Sequence, residues 1–199
     1  MPRQVDRLER RRALADAVFA VVAEHGLEAV SLREVAARAG VSMGAVQHYF
    51  ASKDEMLRFA LDHLHARVLS RLQAEVGRLA DPGRRELIEA GLSVMLPLTA
   101  EGRQEAAVNV GFVSKAMTDP GYAALLRDGY ERLLTVSRLQ LRQAREAGEL
   151  GPGTDPDHEA VALYLLSQGL VAPVLVGLIS TEQARAILAR ELDRIFAAP

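Results

Sequence analysis

The sequence predicts an all-α protein: an N-terminal three-helix head with a helix-turn-helix, then a larger C-terminal helical part. Three observations carry this. Apolar residues recur at three- to four-residue spacing along nearly the whole chain. Alternating Val/Thr/Tyr runs and Asn-Gly turns, the marks of strands and hairpins, are absent. Ser, Asp and Gly fall between the periodic segments at the positions of helix caps.

The first predicted helix covers about 7–25, with Leu14, Val18, Val21 and Val22 on one face and Gly26 as its stop. Ser31 and Glu34 form a capping box for a short helix over 32–39, its inward positions Leu32, Val35, Ala36 and Ala39. Gly40 ends it, Val41 plugs the space beside it, and Ser42 caps a third helix that ends near Phe50. Ser52, with Glu55 three residues on, caps a long amphipathic run over 53–79, long enough to span roughly 40 Å. Asp81-Pro82-Gly83 breaks it. Further helices are expected over about 84–98, 103–117, 121–147, 157–178 and 181–197.

The 199 residues are 49% hydrophobic and 25% charged, which suits a packed core. Cysteine is absent, excluding disulfides, thiolate zinc sites and thiol nucleophiles. The N-terminus has no apolar signal region, so the expected location is cytoplasmic. Charge is graded: residues 1–53 hold 8 Lys/Arg against 6 Asp/Glu, and residues 155–199 hold 3 against 6. The basic arm of Arg3, Arg7, Arg10, Arg11 and Arg12 suits either a polyanion or a solvated terminus.

Residues 32–50 have the spacing of a helix-turn-helix. Val46 and Phe50, at i and i+4, face the core, leaving Met43, Gln47, His48 and Tyr49 directed outward. Gly44 and Ala45 keep the helix start small enough for close approach to another surface. Such a helix reads bases in the major groove from its N-terminal residues. Gln47 suits adenine, and Met43 and Ala45 suit the thymine methyl. Ser31, Arg33, Ser42, His48, Tyr49 and Lys53 complete the expected DNA-binding set as phosphate or flanking contacts. A plain helical hairpin with an idle surface has the same geometry.

The stretch SLREVAARAGVSMGAVQHYFASKDEML resembles the DNA-binding signature of the TetR family of transcriptional regulators. The marks are Ser31, the A-x-x-A-G-V-S turn, Gly44, the aromatic pair ending at Phe50, and the S-K-D-E-x-L exit into a long helix. GAVQHYF with SKDEML is most similar to the betaine-repressor branch. The likeness is strong over 10–60 and looser beyond. It implies a homodimer reading a pseudo-palindromic double-stranded DNA operator, with a small-molecule pocket in the middle helices. Effector binding then shifts the fourth helix and releases the DNA. Gln47-His48-Tyr49 departs from the commoner Tyr-aromatic-His order, so the family's operator does not carry over.

In the C-terminal part, residues 160–179 are nearly all apolar. A membrane span is one reading. Ser167-Gln168-Gly169, Pro173 and Gly177 interrupt the run and favour a buried helix instead, kinked at Pro173. Paired with the last helix it suits an intersubunit four-helix bundle, whose expected interface is Leu166, Leu170, Pro173, Val174, Ile187, Leu188, Leu192 and Ile195. Polar groups on apolar faces mark the expected effector pocket: His65, Asn109 and Gln168, with Met95, Phe112, Val113, Met117, Tyr130 and Tyr164. Tyr122 is a further candidate lining residue. Each aromatic or Met is equally at home in an ordinary core.

Catalytic and metal signatures are missing. His63 and His65, two apart on a helix, do not share a face. No metallopeptidase, P-loop or nucleophile-elbow motif occurs. No cofactor is expected. The sequence therefore reads as a ligand-responsive DNA-binding repressor, with 1–50 as the reading head and 51–199 as the effector and dimerisation part. The alternatives are a helical small-molecule-binding or membrane-associated protein, and a DNA-binding activator.

Overall fold

The computed structural model describes residues 2–196, with side chains from Asp6 onward. The Arg3 side chain and residue 197, the expected end of the last helix, lie outside the described residues. Among these residues the regular structure is all helical: α1 Pro2–His25, α2 Leu32–Ala39, α3 Met43–Tyr49, α4 Lys53–Val76, α5 Arg84–Ser93, α6 Ala100–Ala116, α7 Pro120–Glu146, α8 Pro156–Leu175 and α9 Thr181–Ile195. A single 3-10 turn over Leu27–Ala29, which periodicity does not reveal, joins α1 to α2.

Capping chemistry sets the boundaries. The hydroxyls of Ser31, Ser42 and Ser52 each accept the amide N–H three residues on, at 3.1 Å. Asp119 caps α7 by accepting from Gly121 N at 3.0 Å, with Pro120 in the first helical position. Ser180 and Gln183 close a reciprocal capping box on α9. Several ends differ from expectation: α1 starts at Pro2 rather than about 7, α4 stops at Val76 rather than 79, and α6 starts at Ala100 rather than 103. α5 stops at Ser93 rather than about 98, ahead of Pro97, which disfavours helix at the residue before it. α8 stops at Leu175 rather than 178 because Gly177, at φ 75°, closes it: Gly177 N donates to Val174 O and Leu178 N to Pro173 O. Pro173 lies within the helix.

The chain forms two compact units, and no single cut at residue 50 separates them. The first comprises Met1–Arg67 and Ala107–Ala123; the second comprises Val68–Ala106 and Ala124–Pro199. In the first, Val18, Phe19, Val35, Val46, Phe50 and Met56 are wholly buried. In the second, α5, α8 and α9 enclose a core of Leu92, Leu163, Leu170, Val174, Leu188 and Leu192. Arg85 of α5 donates to Asp193 of α9 at 2.6 Å, and Arg194 to Glu159 of α8 at 2.8 Å. By length and composition α8 could cross a membrane, yet 44% of its apolar window is buried inside the protein.

Candidate nucleic-acid interface

α2 ends in a left-handed Gly40 at φ 66°. Gly40 N donates to Ala37 O and Val41 N to Ala36 O, so two otherwise orphaned carbonyls are satisfied inside the turn. This bends the chain into α3. Val41 contributes its backbone here and not a plug: its side chain is 41% exposed, because the second hydrogen bond turns the residue away from the helix pair.

α3 then divides by face. Val46 and Phe50 are buried, while Met43, Gly44, Gln47 and His48 are exposed and Ala45 and Tyr49 half-buried. The His48 and Tyr49 rings meet edge to face at 5.1 Å, which limits the freedom of both. Arg33 and Ser31 lie at the start of α2, exposed and half-buried. Lys53, exposed at the start of α4, has its ammonium 3.5 Å from the Glu28 carbonyl. The expected DNA-binding side chains are therefore all partly or fully accessible, on the head's helices and the first residue of α4.

Side chains that sequence reasoning passed over hold this head together. Arg11 does not belong to a free basic arm. Its guanidinium lies 4.6 Å from the Phe50 ring centre and 4.4 Å from that of Phe59, and donates to Glu55 at 2.9 Å. The other Glu55 oxygen accepts from Ala51 N at 2.8 Å. Arg38 of α2 makes a two-pronged ion pair with Glu24 of α1. On α4, the His63 ring stacks against Phe19 and Phe59, and its Nε2 lies 3.1 Å from Asp16 of α1. Arg67 donates to the same carboxylate oxygen at 2.8 Å. Partial burial works against an ionised Asp16, but the hydrogen bonds from His63 and Arg67 outweigh it and hold its pKa below the ordinary value.

The expected effector residues divide between the two units. His65, Asn109, Phe112, Val113 and Met117 belong to the first; Met95, Tyr130, Tyr164 and Gln168 belong to the second. In the second unit the Tyr130 and Tyr164 rings pack at 5.3 Å, and Gln168 Nε2 lies 3.7 Å from the Met95 sulfur. Burial pushes the Tyr164 hydroxyl pKa far up, so it stays protonated. Two candidates lie at opposite extremes of exposure. Met117 is 80% exposed, because it follows the last residue of α6. Tyr122 is fully buried, stacked on the equally buried Phe112 at 5.9 Å, and its hydroxyl donates to Asp54 at 2.9 Å.

The expected dimer-interface residues divide by burial within the protomer. Leu170, Val174, Leu188, Leu192 and Ile195 are buried in the protomer's own core, since α5 covers that side of α8 and α9. Leu166 and Pro173 are half-buried and Ile187 is exposed. Leu165, 61% exposed, and Val176 and Leu178, 78% and 75% exposed, are further accessible apolar positions on and just after α8. Beside Ile187 an open depression of about 390 Å³ is lined by Ala162, Leu166, Arg190 and Glu191.

A capped helix pair with a tight glycine turn, presenting Gln47, Met43 and His48 on a small-residue face, defines a helix-turn-helix DNA-binding regulator. Comparisons with known proteins place it further. Residues 14–59 match the model of bacterial regulatory proteins of the tetR family, and residues 82–197 match the C-terminal model of BetI-type transcriptional repressors. Over 170 residues the chain is 32% identical to the HTH-type transcriptional regulator PksA of Bacillus subtilis, covering 85% of this chain and 80% of PksA. A solved transcriptional regulator from Rhodococcus sp. Rha1 has a TM-score of 0.81 at 33% identity, over 94% of this chain and 96% of that one. A regulator from Saccharomonospora viridis, solved in complex with choline, shares the fold at TM-score 0.84 and 24% identity, over 93% of this chain and 96% of that one. The chain belongs to the TetR family of transcriptional regulators, with a C-terminal part of the BetI type.

Proposed function

We propose that the protein is a cytoplasmic homodimeric repressor that occupies a pseudo-palindromic operator and leaves it when a small organic effector binds. The outward face of α3 carries this reading: Met43, Gly44, Gln47 and His48 are exposed while Val46 and Phe50 anchor the helix from behind. Gln47 offers a donor and an acceptor to an adenine edge. Ser31, Arg33, Ser42, Tyr49 and Lys53 flank it with phosphate contacts, which set register without reading sequence.

The effector and dimer functions lie within residues 51–199, which also contribute Lys53 to the reading face. The exposed apolar surface of Leu165, Val176 and Ile187, continuous in character with Leu166 and Pro173, supports pairing of α8 and α9 with a second copy. That pairing accounts for an apolar α8 without a membrane. For the effector, the Tyr130–Tyr164 pair with Gln168 and Met95 offers apolar faces and a few polar atoms. The relative solved with choline makes choline the first probe, its cation suited to the two tyrosine rings. Nothing in this arrangement calls for a catalytic role.

Selection of duplexes from a random pool by the full-length protein tests the reading. Enrichment of one palindromic sequence, bound by two protomers per site and released by an effector, is the expected result. A pool that stays random across a salt series up to physiological strength would overturn it.

A further inference from the structure

Residues Ala107–Ala123 fold with the DNA-reading head, although the match to the C-terminal repressor model runs straight through them. Two close contacts seat this segment. At Gly111 of α6 an added Cβ would lie 3.2 Å from Leu27 Cβ and 3.7 Å from Val22 Cγ1, so the helix rests directly on the turn that leaves α1. At the start of α7, the Tyr122 hydroxyl donates to Asp54 Oδ1 at 2.9 Å. Asp54 Oδ2 accepts from Arg58 at 2.7 Å. The Tyr122 ring also has the Arg58 guanidinium at 4.9 Å, the Lys115 ammonium at 4.6 Å and the Phe112 ring at 5.9 Å from its centre.

Asp54 is in the first turn of α4, and α4 begins four residues after the last residue of the recognition helix. Between them, Ala51 N and Ser52 are tied to Glu55 of the same turn. The short, hydrogen-bonded link leaves little slack to absorb a displacement of α4 before it reaches α3.

We propose that the α6–α7 turn is a strap that positions the reading head, and that Tyr122 and Asp54 are its latch. Tyr122 acts through α4 as a positioning residue and touches no DNA. Making or breaking this hydrogen bond changes how firmly the first turn of α4 is held, and with it the seat of α3. This rests on the DNA-binding reading above and names the residues through which residues 107–123 bias it.

The test compares full-length wild type with Tyr122→Phe, which keeps the ring and its stack on Phe112 and removes one donor. Asp54→Ala removes the acceptor at an exposed site, where loss of the side chain opens no core. Backbone hydrogen exchange is measured in each, together with anisotropy on the duplex enriched by wild type, across a salt series. In Tyr122→Phe amides of the first turns of α4 should exchange about tenfold faster, the loss of one charge-assisted hydrogen bond, and in Asp54→Ala, which also loses the Arg58 bond, at least as fast. Operator affinity should fall by about the same factor with an unchanged salt slope, since no phosphate contact is lost. The double variant should match the worse single one.

Unchanged exchange at α4, or faster exchange with unchanged operator affinity, would overturn the proposal. So would a reduced salt slope, which would make these residues DNA contacts. If Tyr122→Phe loosened α1 as well, Asp54→Ala would decide. Failure of wild type to enrich any sequence would count against the regulator reading itself, and the exchange arm would still judge the latch.

Discussion

The Arg11 guanidinium stands 4.4 Å from the centre of the Phe59 ring, with Phe50 on its other contact at 4.6 Å. A charge near the N-terminus of a DNA-binding head is thereby spent on internal packing. Arg11 joins α1 to the end of α3 and to α4, and Glu55 neutralises it. Arg11→Met should keep the aliphatic packing and lose the cation–π contacts and the ion pair, at a cost of about 1–2 kcal/mol. Thermal unfolding would show the loss. The salt slope of DNA binding should stay as in wild type, in contrast to what a phosphate-binding arginine would give.

Gln47 and Lys53 should fail in different ways. Gln47→Ala should relax discrimination at one base position by about 1–3 kcal/mol. Lys53→Ala should weaken all duplexes alike and flatten the salt dependence by about one unit. Anisotropy with operator and scrambled duplexes measures both. Equal effects of the two changes on both duplexes would refute the division.

On α8 and α9, burial separates association from folding. Leu165→Glu and Ile187→Glu place charge on exposed apolar positions and should yield a folded monomer by analytical ultracentrifugation. Leu188→Glu, at a site 1% exposed, should unfold the second unit. A Leu165→Glu, Ile187→Glu protein that remains dimeric would place the interface elsewhere.

Asp16 gives an acid-side prediction. Folding lowers its pKa from 3.8, so the unfolded chain holds the proton more tightly. The stability from the Asp16–His63–Arg67 cluster is therefore complete above about that pH and fades as pH falls through the lower folded value. Half-exposure of the Asp16 side chain keeps the effect modest. Asp16→Asn should lower the melting temperature at pH 6, and its gap from wild type should narrow as pH falls below 3.8. A gap that does not narrow there would assign the loss to packing.

What the sequence disclosed was local. The serine caps, the Gly40 turn and the inward Val46–Phe50 pair depend on residues three to six apart, and each stands where spacing put it. The partners of Arg11, His63 and Tyr122 lie 44, 47 and 68 residues away, beyond the reach of periodicity. The same limit explains the dimer residues. Periodicity identifies Leu170, Val174 and Leu188 as apolar, but whether α5 or a second copy covers them is a tertiary fact. Val41 failed for another reason: a C-cap hydrogen bond fixed its backbone and sent its side chain outward.

Because residues 107–123 complete the unit built by residues 1–67, the reading function is not a detachable N-terminal cassette. A chimera joined once at residue 67 would take Tyr122 away from Asp54 and replace it with a stranger's side chain, and one joined at residue 50 would also part Arg11 from Glu55 and Phe59. Grafting this specificity onto another sensor would need two junctions, or a donor whose sixth and seventh helices already present a glycine to Leu27 and a tyrosine to Asp54. Exchange of heads among relatives is thus constrained by a segment that no head-only alignment would include.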